Sequence, residues 1–454
     1  MEVFKRALEE ILTRVSFSEH KPSIAIAYSG GLDSSVLLHV ASEYAQEHGI
    51  AMHAFHIHHG ISPNADSWMQ HCEGECARLG VAFDARRIRL TNTDKTGTEE
   101  AARLGRYAAL GDLCRAHHVP LILTAHHQDD QAETVLLQLL RGSGVAGLSG
   151  MDAYNVAPDL LGDASLMMGR PMLALSRAEL ADAAKEKSIA YIEDESNLDP
   201  RYARNALRHQ VMPVLANLFP NFQARFARTA QHAQSAQRLL IEFAAQDLAA
   251  CLDGVCLNID CLKQLNADRI DNVLRYWFGT RGIRMPSTAW LSEMRNQLLE
   301  AKEDAQLCVT HADCHIRRHR NRVYLTPKLR IDPDEVQAQK FQWRGEKSIH
   351  FARFGGVLNF DEAEKGIAAD WLQSQELTLR FREGGERLKL AHNRPTKSLK
   401  YHFQAFDVPA WERTHMPILV AGKELLFAAG IGMDCHRMVG DADRRISLSW
   451  TFNS

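Results

Sequence analysis

Short apolar runs alternate with helical patterns through the first two hundred residues. Ser23-Ile-Ala-Ile-Ala-Tyr28, Ala51-Met-His-Ala-Phe-His-Ile-His58, Val81 to Phe83 and Leu121-Ile-Leu-Thr124 read as buried strands. The stretches 35–41, 66–79 and 98–118 read as helices, and Phe4, Leu8, Ile11, Leu12 and Val15 recur at the spacing of an amphipathic helix laid on a sheet. Strands and helices in alternation predict an α/β fold with a doubly wound parallel sheet, whose ligands bind beyond the carboxyl ends of the strands. The pattern then changes. Residues 219 to 300 read as helical, with Leu239, Leu240, Phe243, Leu248 and Leu252 near helical spacing and Trp277, Trp290 and Leu298 in later turns. Gln306–Thr310 and Arg322–Thr326 predict a hairpin whose connection carries Arg317, Arg318 and Arg320, and Pro327 with the polar residues to about 347 reads as a linker. Short strands and turns from 348 onward predict a small α+β domain. The expected division is 1–218, 219–335 and 348–454.

Between the first strand and its helix lies Ser29-Gly-Gly-Leu-Asp-Ser34. On a strand-to-helix turn Gly30 and Gly31 are free to adopt positive φ, turning backbone N–H groups outward beside the positive end of the helix dipole. Such a turn seats phosphate. The chain has no Gly-x-x-x-x-Gly-Lys-Ser/Thr, which disfavours a phosphoryl-transferring P-loop enzyme.

A second signal is Thr124-Ala-His-His-Gln-Asp-Asp-Gln-Ala-Glu-Thr134, where a strand ends and a helix begins. Asp130 and Glu133, three apart, share one helical face and suit an ammonium group or a metal ion; a solvated acidic helix start is the plainer alternative. The His56-Ile-His-His59 cluster fits a nucleotide contact as well as a satisfied strand end. Arg103 and Arg106 form a pair three apart on a helix, equally compatible with a salt-bridged face. Gly142-Ser-Gly-Val-Ala-Gly147 follows a helix instead of a strand, so it is read as a mobile loop and not as a dinucleotide fingerprint. Cys72 and Cys76 are expected to be small buried hydrophobes.

Composition adds little until it is taken locally. The net charge is −3, yet residues 200 to 233 hold five arginines and no acid, and residues 377 to 402 hold seven Lys or Arg against two Glu, with Phe381 and Tyr401 among them. Both segments suit a phosphate-rich partner, and the second suits RNA backbone contacts with occasional stacking. Nine cysteines with no Cys-x-x-Cys pair suit a reducing cytoplasm better than a disulfide framework. With no signal-like start and no apolar run of about 18 residues, a soluble cytoplasmic protein that does not engage membrane is expected.

Ser29-Gly-Gly-Leu-Asp-Ser34 after a strand resembles the loop of the PP-loop ATP pyrophosphatases. Taken with His56-Ile-His-His-Gly60, Ala125–Thr134, Leu140-Arg-Gly-Ser-Gly144, Asp194-Glu-Ser-Asn-Leu-Asp199, Arg204-Asn205 and Arg208, the ordered set resembles the tRNA(Ile)-lysidine synthetases. The resemblance is dense over about the first 210 residues and looser at the C-terminal end. It implies that ATP adenylates the C2 oxygen of cytidine 34 in the CAU anticodon of an isoleucine tRNA with loss of pyrophosphate, and that the ε-amine of free L-lysine then attacks C2 and displaces AMP. In that scheme Ser29, Gly30, Gly31, Leu32, Asp33, Ser34, His56, His58 and Arg106 bind ATP. Asp33 orients Mg²⁺, Asp130 and Glu133 hold an ammonium of lysine, and His126 or His127 moves a proton. Arg103, Arg201, Arg204, Asn205, Arg208, Arg380, Arg382, Arg387, Lys397 and Lys400 contact tRNA or phosphate, and a homodimer is compatible. The rival readings are a PP-loop tRNA thiolation enzyme, with Cys72 and Cys76 as its candidate thiols, and an AMP-forming amide synthetase acting on a small metabolite.

Overall fold

The computed structural model describes residues 2–17, 22–58, 60, 64–88, 98–193, 203–302, 307–328, 336–439 and 442–453. They fall into two compact units, Met1–Glu242 and Phe243–Ser454.

The first unit is built on six strands: β1 (Ser23–Ala27), β2 (Ala51–His58), β3 (Ala82–Arg87), β4 (Leu121–Leu123), β5 (Tyr154–Val156) and β6 (Met167–Gly169). Their order is β3-β2-β1-β4-β6-β5, all parallel except the edge pair β5–β6. Side chains alternate across a strand, so β1 feeds two cores. Ile24 and Ile26 pack with Phe4, Leu8 and Ile11 of the first helix and with Val36 and Leu37 of the helix Leu32–His48. Ala25 faces the opposite core with Tyr107, Leu110 and Leu113 of the helix Thr98–Ala116. This is the doubly wound sheet that the pattern predicts, and its cause is plain: a strand covered on both faces has no solvent-facing row to fill with polar residues. The chain order reverses between β1 and β4, so the loops leaving these neighbours open a crevice at their carboxyl ends.

The second unit has two cores. One packs the helices Ile259–Lys263, Ala267–Thr280 and Thr288–Glu300 on a five-stranded antiparallel sheet, around Trp277, Phe278, Leu291, Ile316 and Val323. The expected hairpin is therefore three strands, Cys308–Thr310, Cys314–His319 and Arg322–Pro327, and its arginines sit mostly in the middle strand. Arg318 is buried there, donating to the carbonyls of Leu298 and Ala301 at the end of a helix. The second core joins two antiparallel sheets and short helices around Trp343, Phe360, Leu379, Phe403 and Leu419. Its first strand, Gln339–Phe341, and Trp343 lie in the stretch read as linker, whose charged residues hid a strand and one buried indole.

Two further expectations change. The helix Phe222–Cys251 forms, but Leu239, Leu240 and Phe243 are exposed on it while Leu248 is buried. Cys251 and Cys261 form a disulfide, against the expectation of none; the other seven cysteines are free.

Gly111 marks the closest approach of two elements. A Cβ there would stand 1.9 Å from the carbonyl oxygen of Leu161, which closes the helix Pro158–Leu161 against the helix carrying Gly111. The contact is with backbone, which has no rotamer to change. Gly111→Ala is therefore expected to destabilise the protein by about 1–3 kcal/mol, read as a lowered urea midpoint.

Candidate active site

β1 delivers the chain to Tyr28, whose N–H donates to the Phe55 carbonyl of β2, and the backbone then turns sharply into the helix Leu32–His48. Gly30 takes φ +86°, whereas Gly31 is extended at φ −72°, so only the first glycine has the conformation expected of both. Gly30 is also confined: a Cβ would lie 2.8 Å from Cys72 Sγ and 3.0 Å from Ile192 Cδ1. The loop is knitted by hydroxyls. Ser29 Oγ and Ser34 Oγ lie 3.0 Å apart, Ser34 Oγ donates to the Gly31 carbonyl, and Ser35 Oγ donates to that of Gly30. Ile192 N–H also donates to the Gly30 carbonyl, at 2.9 Å. No side chain among the described residues caps this helix at Gly31, so its first-turn amides remain available to an anion.

β4 ends beside β1, and Thr124 to His127 lead into the helix Gln128–Leu140. His127 caps that helix: Asp130 N–H donates to Nδ1, and Asp130 Oδ2 accepts from the His127 N–H at 3.1 Å. The ring is then fixed with Nε2 3.3 Å from Asp130 Oδ2 and 3.6 Å from Asp33 Oδ2. The imidazole therefore bridges the glycine loop to the acidic helix. Burial opposes its charge, but Asp33 and Asp130 outweigh burial and hold His127 above the usual histidine range. His126 goes the other way. Burial, reinforced by Arg170, Arg204 and Arg106, pulls it down to about 3 against the attraction of Asp130, so it is neutral, with Nδ1 2.8 Å from Thr124 Oγ1.

Asp130 and Glu133 share a face, as their spacing predicts, but two guanidinium groups already occupy it. Arg204 Nε lies 2.7 Å from Glu133 Oε2 and its Nη2 3.0 Å from Asp130 Oδ1; Arg208 Nε lies 2.6 Å from Glu133 Oε1 and its Nη2 3.2 Å from Asp130 Oδ1. Arg204 and Arg208 thus do not stand free for phosphate, nor the two acids for an ammonium. The reason is burial: the Glu133 side chain is 2 % exposed, and a carboxylate so placed needs cationic partners. A widened helical turn at Leu207–Val211 carries Arg208. Burial pushes the Asp130 carboxyl up, but His127 and Arg204 outweigh it and hold it below the usual range. Asp129 points elsewhere, accepting from the Arg177 N–H and from Gln223.

The other predicted residues divide. His56 Nδ1 meets the Tyr28 carbonyl at 3.0 Å, bracing the entry to the loop, and His58 Nε2 lies 3.2 Å from Asp66. Arg103 and Arg106 lie against the ring of Tyr107, and Arg103 also pairs with Glu100. Leu32 opens the helix after the loop and Asn205 lies on the helix with Arg204. Arg201, His59 and Asp194–Pro200 lie outside the described residues. Gly142–Gly147, read as a mobile loop, is in its second half the start of a helical turn at Val145–Leu148, and Gln131 clamps the chain just beyond through both the N–H and the carbonyl of Met151. In the second unit Arg380 is held by Glu386, and Arg387 donates to the Thr396 carbonyl. Arg382 lies over Phe403 and Lys397 over Tyr401, and Arg382 and Lys400 line a cavity of about 330 Å³ beside Gly384 and Gly385.

Sequence reasoning missed Arg170, a buried guanidinium that donates to the Asp152 carbonyl and to Asn155, and Ile192, which pins the loop through its backbone. A lone arginine ahead of a proline gives no signal of burial. Cys72 and Cys76 are buried, and burial pushes both thiols up to about 12, which makes them poor nucleophiles.

A parallel α/β sheet with a serine- and glycine-bound loop at its switch point defines an ATP-handling domain of the PP-loop class, and the PP-loop domain model matches residues 1–215. The TilS substrate binding domain model matches residues 257–324, and the TilS substrate C-terminal domain model residues 377–450. The chain is 39 % identical to the tRNA(Ile)-lysidine synthase of Ralstonia nicotianae over 433 residues, covering 91 % of this chain and 89 % of the relative. It is 40 % identical to the enzyme of that name from Burkholderia pseudomallei over 442 residues (90 % and 89 %), and 36 % identical to that of Coxiella burnetii over 423 (93 % and 92 %). This chain belongs to the tRNA(Ile)-lysidine synthase family, and is an ATP-dependent ligase.

Two outcomes follow from the charge cluster. Arg208→Ala leaves Glu133 short of a partner and is expected to cost about 1.5–3 kcal/mol in urea unfolding. Because the His127 value is raised on folding, its stabilisation is fully present below the unfolded value of about 6.5 and is lost as the pH rises through the folded value. The stability difference between the natural protein and His127→Gln should accordingly be largest in mild acid and shrink toward alkaline pH.

Proposed function

We propose that this enzyme carries out the reaction for which its family is named: ATP-dependent joining of lysine to C2 of cytidine 34 in tRNA(Ile), through an adenylated base. The reading rests above all on His127, which lies between Asp33 of the glycine loop and Asp130 of the acidic helix, so that the loop and the acidic pair open on one crevice.

The chemistry asks for these residue types. A pyrimidine carbonyl oxygen is a poor leaving group, and adenylation makes it a good one, while negative charge grows on the departing pyrophosphate. Amides of Gly30, Gly31 and Leu32 with the hydroxyls of Ser29 and Ser34 are the donors aimed at that charge. His56 supports the loop from β2. Arg106, exposed beside the neutral His126, is the cation assigned to phosphate, and Arg103 is assigned to RNA or phosphate at the edge of the site.

Asp33 fits a magnesium ion, since its Oδ1 is buried and has no hydrogen-bond partner among the described residues. When bound, Mg²⁺ would neutralise phosphate oxygens. Asp130 and Glu133 are assigned to an ammonium of lysine. That group would exchange with, or add to, the guanidinium groups of Arg204 and Arg208, which pair with both carboxylates in the meantime. His127, raised above the usual histidine range between two acids, is placed to move a proton; neutral His126 is placed to accept one. In the second unit Arg382, Lys397 and Lys400 are assigned to the RNA backbone, and the exposed ring of Tyr401 under Lys397 is suited to stacking, whereas Phe403 under Arg382 is buried in the core. Arg380 and Arg387 shape that surface from their internal bonds.

The test separates the two steps. With CAU-anticodon tRNA, Asp33→Ala is expected to abolish pyrophosphate release. Asp130→Asn is expected to keep release while lysidine formation falls by at least about a hundredfold, the scale of a lost positioning group. Survival of both steps in either variant contradicts the assignment.

A further inference from the structure

We propose that Asp407 is a positioning residue that locks the two cores of the second unit together and so sets how its RNA-contacting surface meets the tRNA; this rests on the tRNA-modifying reading. The turn between the strands Cys314–His319 and Arg322–Pro327 belongs to the core around Trp277. Asp407 follows the helix Leu399–Ala405, which belongs to the core around Phe403. They meet carboxylate to cation. Asp407 accepts from His319 Nε2 at 3.1 Å, and lies 2.9 Å from Arg320 Nε and 3.5 Å from Arg322 Nη1. Arg320 also reaches the Gln404 carbonyl. Beside them Trp411 takes Arg317 over its ring at 5.2 Å and packs edge-on to Tyr324 and His319.

Backbone geometry supports the same assignment independently. Arg320 and Asp407 are both non-glycine residues in the left-handed region, at φ 51° and 59°. Local preference disfavours that conformation, so two such turn tips facing each other are held there by what they make across the junction. The junction is polar and incompletely filled, bordering a solvent-open cleft of about 220 Å³ lined by Asp253, Asn258, Asn321, Arg320, Arg322 and Asp407. A polar, loosely filled contact permits hinge motion unless something bolts it, and Asp407, shared by two arginines and His319, is the bolt. The basic turn of the hairpin is thereby spent on geometry.

Full-length variants are compared in steady-state lysidine formation with CAU-anticodon tRNA and by small-angle X-ray scattering. Asp407→Ala is expected to raise KM for tRNA about tenfold with kcat and KM for ATP within about twofold, and to enlarge the radius of gyration. Asp407→Glu should restore most of the loss. The swapped pair Asp407→Arg with Arg320→Asp should bind tRNA better than either single change. An unchanged KM for tRNA, or an equal fall in kcat accompanied by a lowered melting temperature and no rescue, overturns the proposal. If the natural protein forms no lysidine, the tRNA-modifying reading fails, and the scattering comparison alone decides the lock.

Discussion

A carboxylate with almost no solvent, Glu133, is tolerable only because two arginines 71 and 75 positions later close over it. Stripping water from an ionised acid costs several kcal/mol, and a fork-shaped guanidinium returns most of that through paired, directional hydrogen bonds. Everything at the crevice inherits this constraint. The helix carrying Glu133 also carries Asp130, Asp130 fixes His127, and His127 reaches Asp33. Six charged or chargeable groups from three separate stretches of chain thus form one connected arrangement, in which moving either arginine leaves Glu133 short of a partner.

The glycine loop obeys a complementary logic. Its own hydroxyls satisfy its carbonyls, Ser34 to Gly31 and Ser35 to Gly30, and accept from the N–H groups of Ser29 and Gly31, so that the backbone holds its shape without a ligand. Positive φ at Gly30 and the thiol of Cys72 packed against it define how closely the loop approaches the helix Ala65–Leu79. A rigid donor array loses little on reorganising around developing negative charge, which is the condition for electrostatic stabilisation of a departing pyrophosphate.

In the second unit the same residue type does different work at each position. Arg318 is buried and closes helix carbonyls, Arg317 stacks on Trp411, Arg320 pairs with Asp407, and Arg382 sits at the edge of an open cavity. Counting positive charge finds the segment that can meet RNA. It does not separate cations facing solvent from those consumed by the fold.

The alternation of apolar runs and helical periods was sufficient for the first four strands of the parallel sheet and the location of both loops, because burial on two faces forces contiguous apolar strands; the three-residue strands Tyr154–Val156 and Met167–Gly169 were too short to show a period. Spacing likewise placed Asp130 and Glu133 on one face, since helical geometry is local. What spacing left open was who answers them: Arg204 and Arg208 looked like phosphate ligands until the fold brought them to the acids. The linker strand at Gln339–Phe341, the extended conformation of Gly31 and the exposure of Leu239 and Phe243 were equally out of reach. Local pattern depends on periodicity and backbone preference, which a sequence carries along its length. Partnership of buried charges depends on which distant segments exclude water together, and that is decided only when the chain has closed on itself.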